Sequence, residues 1–224
     1  MTRCSDILSL VKPLYRVDTW IGCAEEELDA LRRRFGPLPQ VLEDFYRTAA
    51  GTPALQACQD RWALPEAFQR PNWLQTSEHL VLLVENQGVC HTCIRRENLS
   101  QADPPVHTTG DRQGWSLCAP STSAFLAAAL TYEAVFYQLF TPEEFYELTE
   151  EEHSALDAGL SRYPFVLESW ISGFRAAFYH NMPDNLAVVM EDPAGGLPQM
   201  LYGAGTKASY QALLDVVGGL GTPI

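Results

Sequence analysis

The stretch from Phe125 to Phe140 is the most apolar in the chain, with Phe125, Leu126, Ala129, Leu130, Tyr132, Val135 and Phe136 falling on most sides of a helix. Glu133 and Gln138 interrupt it, and it is shorter than the roughly 20 residues that a bilayer-spanning helix requires. A helix that is apolar nearly all round belongs inside a core. Ser121, Thr122 or Ser123 can cap it. The sequence therefore predicts a buried helix ending near Phe140, with the rest of the chain wrapped around it.

Composition supplies the wrapping. The chain of 224 residues is 46% hydrophobic and 11% aromatic with only 19% charged residues, enough for a real core and little disorder. Its length suits one domain with a sizeable appendage. The 28 acidic against 15 basic residues give a net charge of −13, which repels phosphates and disfavours direct nucleic-acid binding. The same charge can steer the chain toward a basic partner. Ile7 to Val11 is too brief for a signal-peptide core, so the expectation is a cytoplasmic protein with no membrane contact. In that compartment Cys4, Cys23, Cys58, Cys90, Cys93 and Cys118 stay reduced.

Local patterns give an order of elements. Leu28, Leu31 and Phe35 recur at helical spacing, with Glu25 to Glu27 in the first turn, Arg32 to Arg34 in the last, and Gly36 as the stop. Pro37, Leu38 and Pro39 make a stiff turn into a second helix with Pro39 at its first position and Val41, Leu42, Phe45, Tyr46 and Ala49 on one face; Gly51 and Pro53 end it. These two short helices open the domain. Residues 54–75 read as a loop whose aromatics, Trp62, Phe68 and Trp73, cap the core. His79 to Val84 and Val89 to Arg95 read as strands of a hairpin turning at Glu85-Asn86-Gln87-Gly88. Asp103-Pro104-Pro105-Val106 begins an extended piece, Gly110, Asp111 and Gly114 mark a turn, and Trp115 to Cys118 is a strand. Beyond the apolar helix, Thr141 and Pro142 read as cap and first residue of an acidic helix ending near Tyr163 and Pro164. Strands at Phe165–Ile171, Phe174–Tyr179, Leu186–Glu191 and Gln199–Tyr202 follow, then a helix over Lys207–Val217. The fold class is α+β.

No set of residues makes a persuasive reaction centre. Cys90-His91-Thr92-Cys93 has half the spacing of a zinc site but no second half, and residues three apart on a strand point to opposite faces. His91 beside a cysteine on a strand faces away from it, against activation of a thiol. Glu143 and Glu147 would share one face of the acidic helix, without a histidine to make a metal set. Gly203 to Lys207 lacks phosphate-loop spacing. The expectation is no catalytic residue, no metal and no cofactor, with Glu143, Glu144, Glu147, Glu150 and Glu151 offering an acidic surface to a protein partner.

Leu38-Pro39, the aromatic pair Phe45 and Tyr46, the helix stop at Gly51, Glu85-Asn86-Gln87-Gly88, Asp103-Pro104-Pro105-Val106 and Trp115 occur in an order that resembles the SUKH superfamily, which includes a fungal cell-wall-assembly regulator and bacterial immunity proteins of polymorphic toxin systems. The resemblance covers residues 19–140 and leaves 141–224 as a C-terminal α+β extension of helix, β meander and helix. It implies helices packed on a mixed or antiparallel sheet, no enzyme activity, and the neutralising of a cognate nuclease or deaminase toxin by direct binding. The other role it allows is that of a regulatory scaffold with several weaker partners.

Overall fold

The structure, a computed structural model, describes residues 2–110 and 114–224. Its α+β fold has seven α-helices among the described residues: α1 (Cys4–Tyr15), α2 (Glu25–Phe35), α3 (Gln40–Thr48), α4 (Pro53–Gln56), α5 (Thr122–Val135), α6 (Glu150–Gly159) and α7 (Lys207–Val217). One antiparallel sheet follows the chain as β1 (Arg61–Trp62), β2 (Leu80–Val84), β3 (Cys90–Ile94), β4 (Val106–Gly110) and β5 (Gly114–Ala119). The second contains β6 (Tyr146–Glu147), β7 (Ser161–Leu167), β8 (Arg175–His180), β9 (Asn185–Glu191), β10 (Gln199–Ala204) and β11 (Thr222–Pro223), in the spatial order β11-β6-β10-β9-β8-β7.

The apolar helix is α5, and it is buried along its whole length between α1 and α3 on one side and both sheets on the other. Ser121 caps it by accepting from the Ala124 N–H at 3.1 Å. It ends at Val135 rather than near Phe140, because Phe140 leaves the helix to bridge Ala204 on β10. The core around α5 is continuous from Cys4 to Leu201. It joins the faces of α1, α2 and α3 to Leu167, Phe178, Leu186, Val188 and Leu201 on one side of the second sheet. Ala177, Tyr179, Ala187, Val189 and Met200 alternate to the opposite side and meet Leu156, Leu213 and Val217 of α6 and α7. Both faces of the second sheet are therefore covered.

A helix precedes the two expected at the start. In α1, Cys4, Ile7, Leu8, Val11, Leu14 and Tyr15 form a buried stripe at helical spacing. Pro13 is accommodated in its last turn, and Arg16 closes it in the left-handed region at φ 52°. The second of the expected helices starts one residue late, with Pro39 as its cap. Residues 54–75 hold α4, β1 and two 3-10 turns; Trp62 and Phe68 are buried as expected, whereas Trp73 stands half out in solvent. Strand β7 begins at Ser161, earlier than expected, and takes Tyr163 and Pro164 into a register shift; proline is tolerated there because β7 lies at the sheet edge.

The acidic helix expected from Thr141 begins only at Glu150. Thr149 is its cap: its hydroxyl accepts from the Glu152 N–H at 3.3 Å while the Glu152 carboxylate accepts from the Thr149 N–H at 2.8 Å, a reciprocal pair that fixes the start. Upstream, Thr141 donates instead to the Tyr202 carbonyl, Tyr146 and Glu147 pair with β10 and β11, and Leu148 is wholly buried. Burying Leu148 and satisfying this backbone in the sheet outweigh the helix preference of the glutamates.

The motif residues have identifiable structural tasks. Tyr46 donates to the Ala63 carbonyl at 3.1 Å. A side chain at Gly51 would meet the Gly22 carbonyl oxygen at 2.6 Å, where the chain crosses itself. Glu85 is buried and its carboxylate accepts from the N–H groups of Gln87 (2.9 Å) and Val89 (3.2 Å), with Gly88 at φ +76° completing the hairpin. Asp103 accepts from both the N–H (2.9 Å) and hydroxyl (2.6 Å) of Ser123, and Pro104 accepts from Thr122, so the Asp-Pro-Pro step is docked onto the start of α5. Gly110 and Gly114 pair across the turn between β4 and β5, while Asp111 lies outside the described residues.

Candidate functional site

The cysteines are built as core rather than as reagents. Cys90 and Cys93 sit on β3 in unbroken register with Gly110 and His107, so they point to opposite faces, and both are buried. Desolvation pushes the Cys93, Cys58 and Cys4 thiols up to about 12 and Cys23 to about 11, and drives Cys118 up as well, away from the thiolate. His91 faces away from Cys90 but, two residues from Cys93, shares its face. No hydrogen bond joins His91 to Cys93 among the described residues; its ring lies against Trp73 and Trp115 instead. Nor does any group of three or more His, Cys, Asp or Glu residues stand placed to hold a metal among those described.

Charge is distributed unevenly. Residues 141–224 carry twelve acidic and three basic side chains, a net −9, against sixteen and twelve, a net −4, in residues 1–140. In the first part the acids are matched. Arg32 reaches Glu25 (2.8 Å), Asp29 (2.6 Å) and Glu43 (2.8 Å), and Arg47 reaches Glu43 (2.6 Å) and Glu25 (3.4 Å). Arg32 and Arg47 hold the Glu25 carboxyl below its ordinary value, and Arg32 foremost does the same for Glu43.

In the second part Glu143 and Glu144 lie in the loop after Phe140, Glu147 is half-buried on β6, and Glu150 and Glu151 stand exposed in the first turn of α6. No basic side chain pairs with any of the five among the described residues. Glu143 and Glu147 are not one helical turn apart, because the helix expected to carry both is not there. What remains is a run of carboxylates on a loop, a short strand and a helix start, within nine residues of sequence and without counter-ions. At α6 the helix dipole favours them, so they are left charged at little cost.

Two features were hidden in the sequence. On the first sheet, His91, Thr109 and Trp115 stand in cross-strand register and thus on one face, which also carries His107 and the half-exposed Leu117. Trp73, His91, Trp115 and His79 form a chain of neighbouring rings with centroids 4.9, 5.9 and 5.1 Å apart. Burial lowers the His91 and His107 pKa values, which keeps this face neutral. The alternation His91, Cys93 and His107, Thr109 was legible as strand, but not which side would remain open.

The second is a pair of buried acids. Glu133 projects from the middle of α5 and accepts from the Asp60 N–H at 3.0 Å, while the Asp60 carboxylate accepts from the Asn86 N–H at 3.0 Å. Asp60 Oδ2 and Glu133 Oε1 have no partner, and the indole N–H groups of Trp62 and Trp170 are equally unpaired. Desolvation and the Asp60 carboxyl push Glu133 well up, and desolvation foremost lifts Asp60 to about 6. Two carboxyls this close and this dry retain a proton between them near neutrality, which gives each orphaned oxygen its partner. The one carboxylate inside the apolar run was the visible signal; Asp60, 73 residues away, gave none.

No family model, curated protein or solved structure matches this chain. Among the described residues, no helix is long and apolar enough to cross a membrane.

Proposed function

We propose that this chain works by binding a protein partner, in the manner of an immunity protein that occludes a basic toxin domain of nuclease or deaminase type. The observation that carries this reading is the contrast in ion pairing. The acids of α2 and α3 are neutralised from within, whereas Glu143, Glu144, Glu147, Glu150 and Glu151 are left without cations. Uncompensated carboxylates cost stability through mutual repulsion, a cost that a basic partner would reverse on docking. Covering the positive groove of a nucleic-acid enzyme needs no reacting group, only shape and opposite charge. The order of motifs from Leu38 to Trp115 points to the same class, and six free cysteines suit a reducing cytoplasm.

The test is co-expression with the product of the adjacent gene, followed by calorimetry on the purified pair. A tight complex whose affinity falls with added salt, and falls at least about tenfold in the variant carrying Glu143→Lys, Glu144→Lys, Glu150→Lys and Glu151→Lys, supports the reading. A neighbour without toxicity, or a complex indifferent to all four reversals, overturns it.

A further inference from the structure

A groove of about 540 Å³ runs between the corner joining α2 to α3 and the turn that follows β3. That volume lies within the roughly 300–1,000 Å³ of ligand sites. Its floor is Phe35, Leu38, Pro39 and Leu99, nearly all of whose remaining surface is committed to the core. Its wall is stiff: Pro37 and Pro39 fix two backbone angles, and Gly36 turns the corner at φ +84° with nothing within 4 Å of where a side chain would stand.

Arg96 is the one charged side chain among the described lining residues, and no carboxylate pairs with it. The acid beside it in sequence, Glu97, is taken by Arg95 at 2.5 Å. Arg33, exposed at the end of α2, is unpaired in the same way among the described residues. Arg34 is held by the Ser77 and Phe68 carbonyls and stacks on the rings of Phe35 and Phe68, again without an acid. Burial, and then the nearby Arg96, pull the Arg34 guanidinium below its usual pKa, so the two cations stand close enough to repel. In a chain of net charge −13, three arginines without acids flank one apolar groove.

We propose that this groove binds an extended peptide segment of a partner, one that seats a branched aliphatic side chain on the Leu38–Leu99 floor and sets a neighbouring carboxylate on Arg96. Pro37, Gln40, Arg96, Ser100, Gln101 and Ala102 stand exposed along the rim, so a chain can pass across it, whereas a small molecule would be left largely uncovered. The site is separate from the acidic stretch at 143–151 in charge and in place, and the two proposals fail independently.

The experiment is fluorescence polarisation of the full chain with three labelled hexapeptides: alternating Leu and Glu, alternating Leu and Lys, and alternating Ser and Glu. The Leu–Glu peptide is expected to bind best, against the attraction that the overall charge exerts on the Leu–Lys peptide. Arg96→Glu should weaken its binding by about fivefold. Ala102→Trp, which fills the groove from an exposed position, should abolish it, with the circular-dichroism spectrum unchanged in both variants. Preference for Leu–Lys, indifference to both substitutions, or no saturable Leu–Glu binding up to about 1 mM would overturn the proposal.

Discussion

The two sheets are both antiparallel and both follow the chain through a meander, yet they are covered and charged in different ways. The second is buried on both faces, between α5 on one side and α6 and α7 on the other, and presents little but its edges, loops and helix ends, where its carboxylates gather. The first turns one face toward α5 and leaves the other half open, with Trp73, His91 and Trp115 along it and its neighbouring helices laced by Arg32 and Arg47. A sheet closed on both sides has only its periphery left for recognition, whereas a half-open sheet has a face. Ion pairing follows the same division: acids are matched where helices pack side by side and unmatched where they project outward.

The comparison breaks most severely at the helix the two sheets share. Phe125→Ala removes a fully buried ring from α5 and should cost about 3–5 kcal/mol, a large share of the stability of a typical domain. Hydrogen exchange should then show protection falling together in β2–β3 and in β8–β9. Loss confined to β2–β3 would show that the halves are held separately.

A smaller and pH-dependent effect belongs to Asp60 and Glu133. Both have pKa values raised above their unfolded values, so their contribution to stability is full below about pH 4 and is lost as pH rises through about 6 and beyond. The groups facing the pair are Glu85 from the hairpin, Tyr132 from α5, Tyr15 from α1 and Cys58; Arg61, next to Asp60, is exposed. None of those facing it is a cation. Urea midpoints should therefore fall between pH 5 and pH 8, and Glu133→Gln should flatten that slope and gain about 1–3 kcal/mol at pH 8. An unchanged slope would remove the pair from the account.

Surface charge comes last. Arg32→Ala leaves three acids without their cation and should cost about 1 kcal/mol at low salt, less at 1 M. The four lysine reversals at 143, 144, 150 and 151 should change the urea midpoint by no more than about 0.5 kcal/mol or raise it, because no native ion pair is lost. A large loss there would mean that these carboxylates have hidden structural partners.

Much of this was legible where local chemistry and packing agree. The buried helix, its Ser121 cap, the Glu85–Gly88 hairpin and the run of α7 from Lys207 to Val217 follow from caps, turns and periodicity. Two failures have physical reasons. The stripe from Cys4 to Tyr15 was obscured by Pro13, which reads as a breaker although a last turn tolerates it. The glutamates after Pro142 read as a helix start, yet the cap-and-acid pair that sets the true start, Thr149 with Glu152, stood seven residues further on. For the candidate surface, the carboxylates were identifiable one by one, but their lack of counter-ions was not. Arg32 meets Glu43, and Arg47 meets Glu25, only because α2 and α3 fold against each other, and such pairing leaves no mark in sequence.

The position of α5 also bears on the order in which the molecule can be made. Synthesis delivers α5 by residue 135, but the strands that cover its last flank arrive late, with Leu201 on β10 among the final contributors. For the intervening 66 residues a nascent chain holds its greasiest helix with one side unsheltered. Its burial is thus an event close to release from the ribosome, and a chain cut short after residue 140 would present that flank to chaperones and to its own copies.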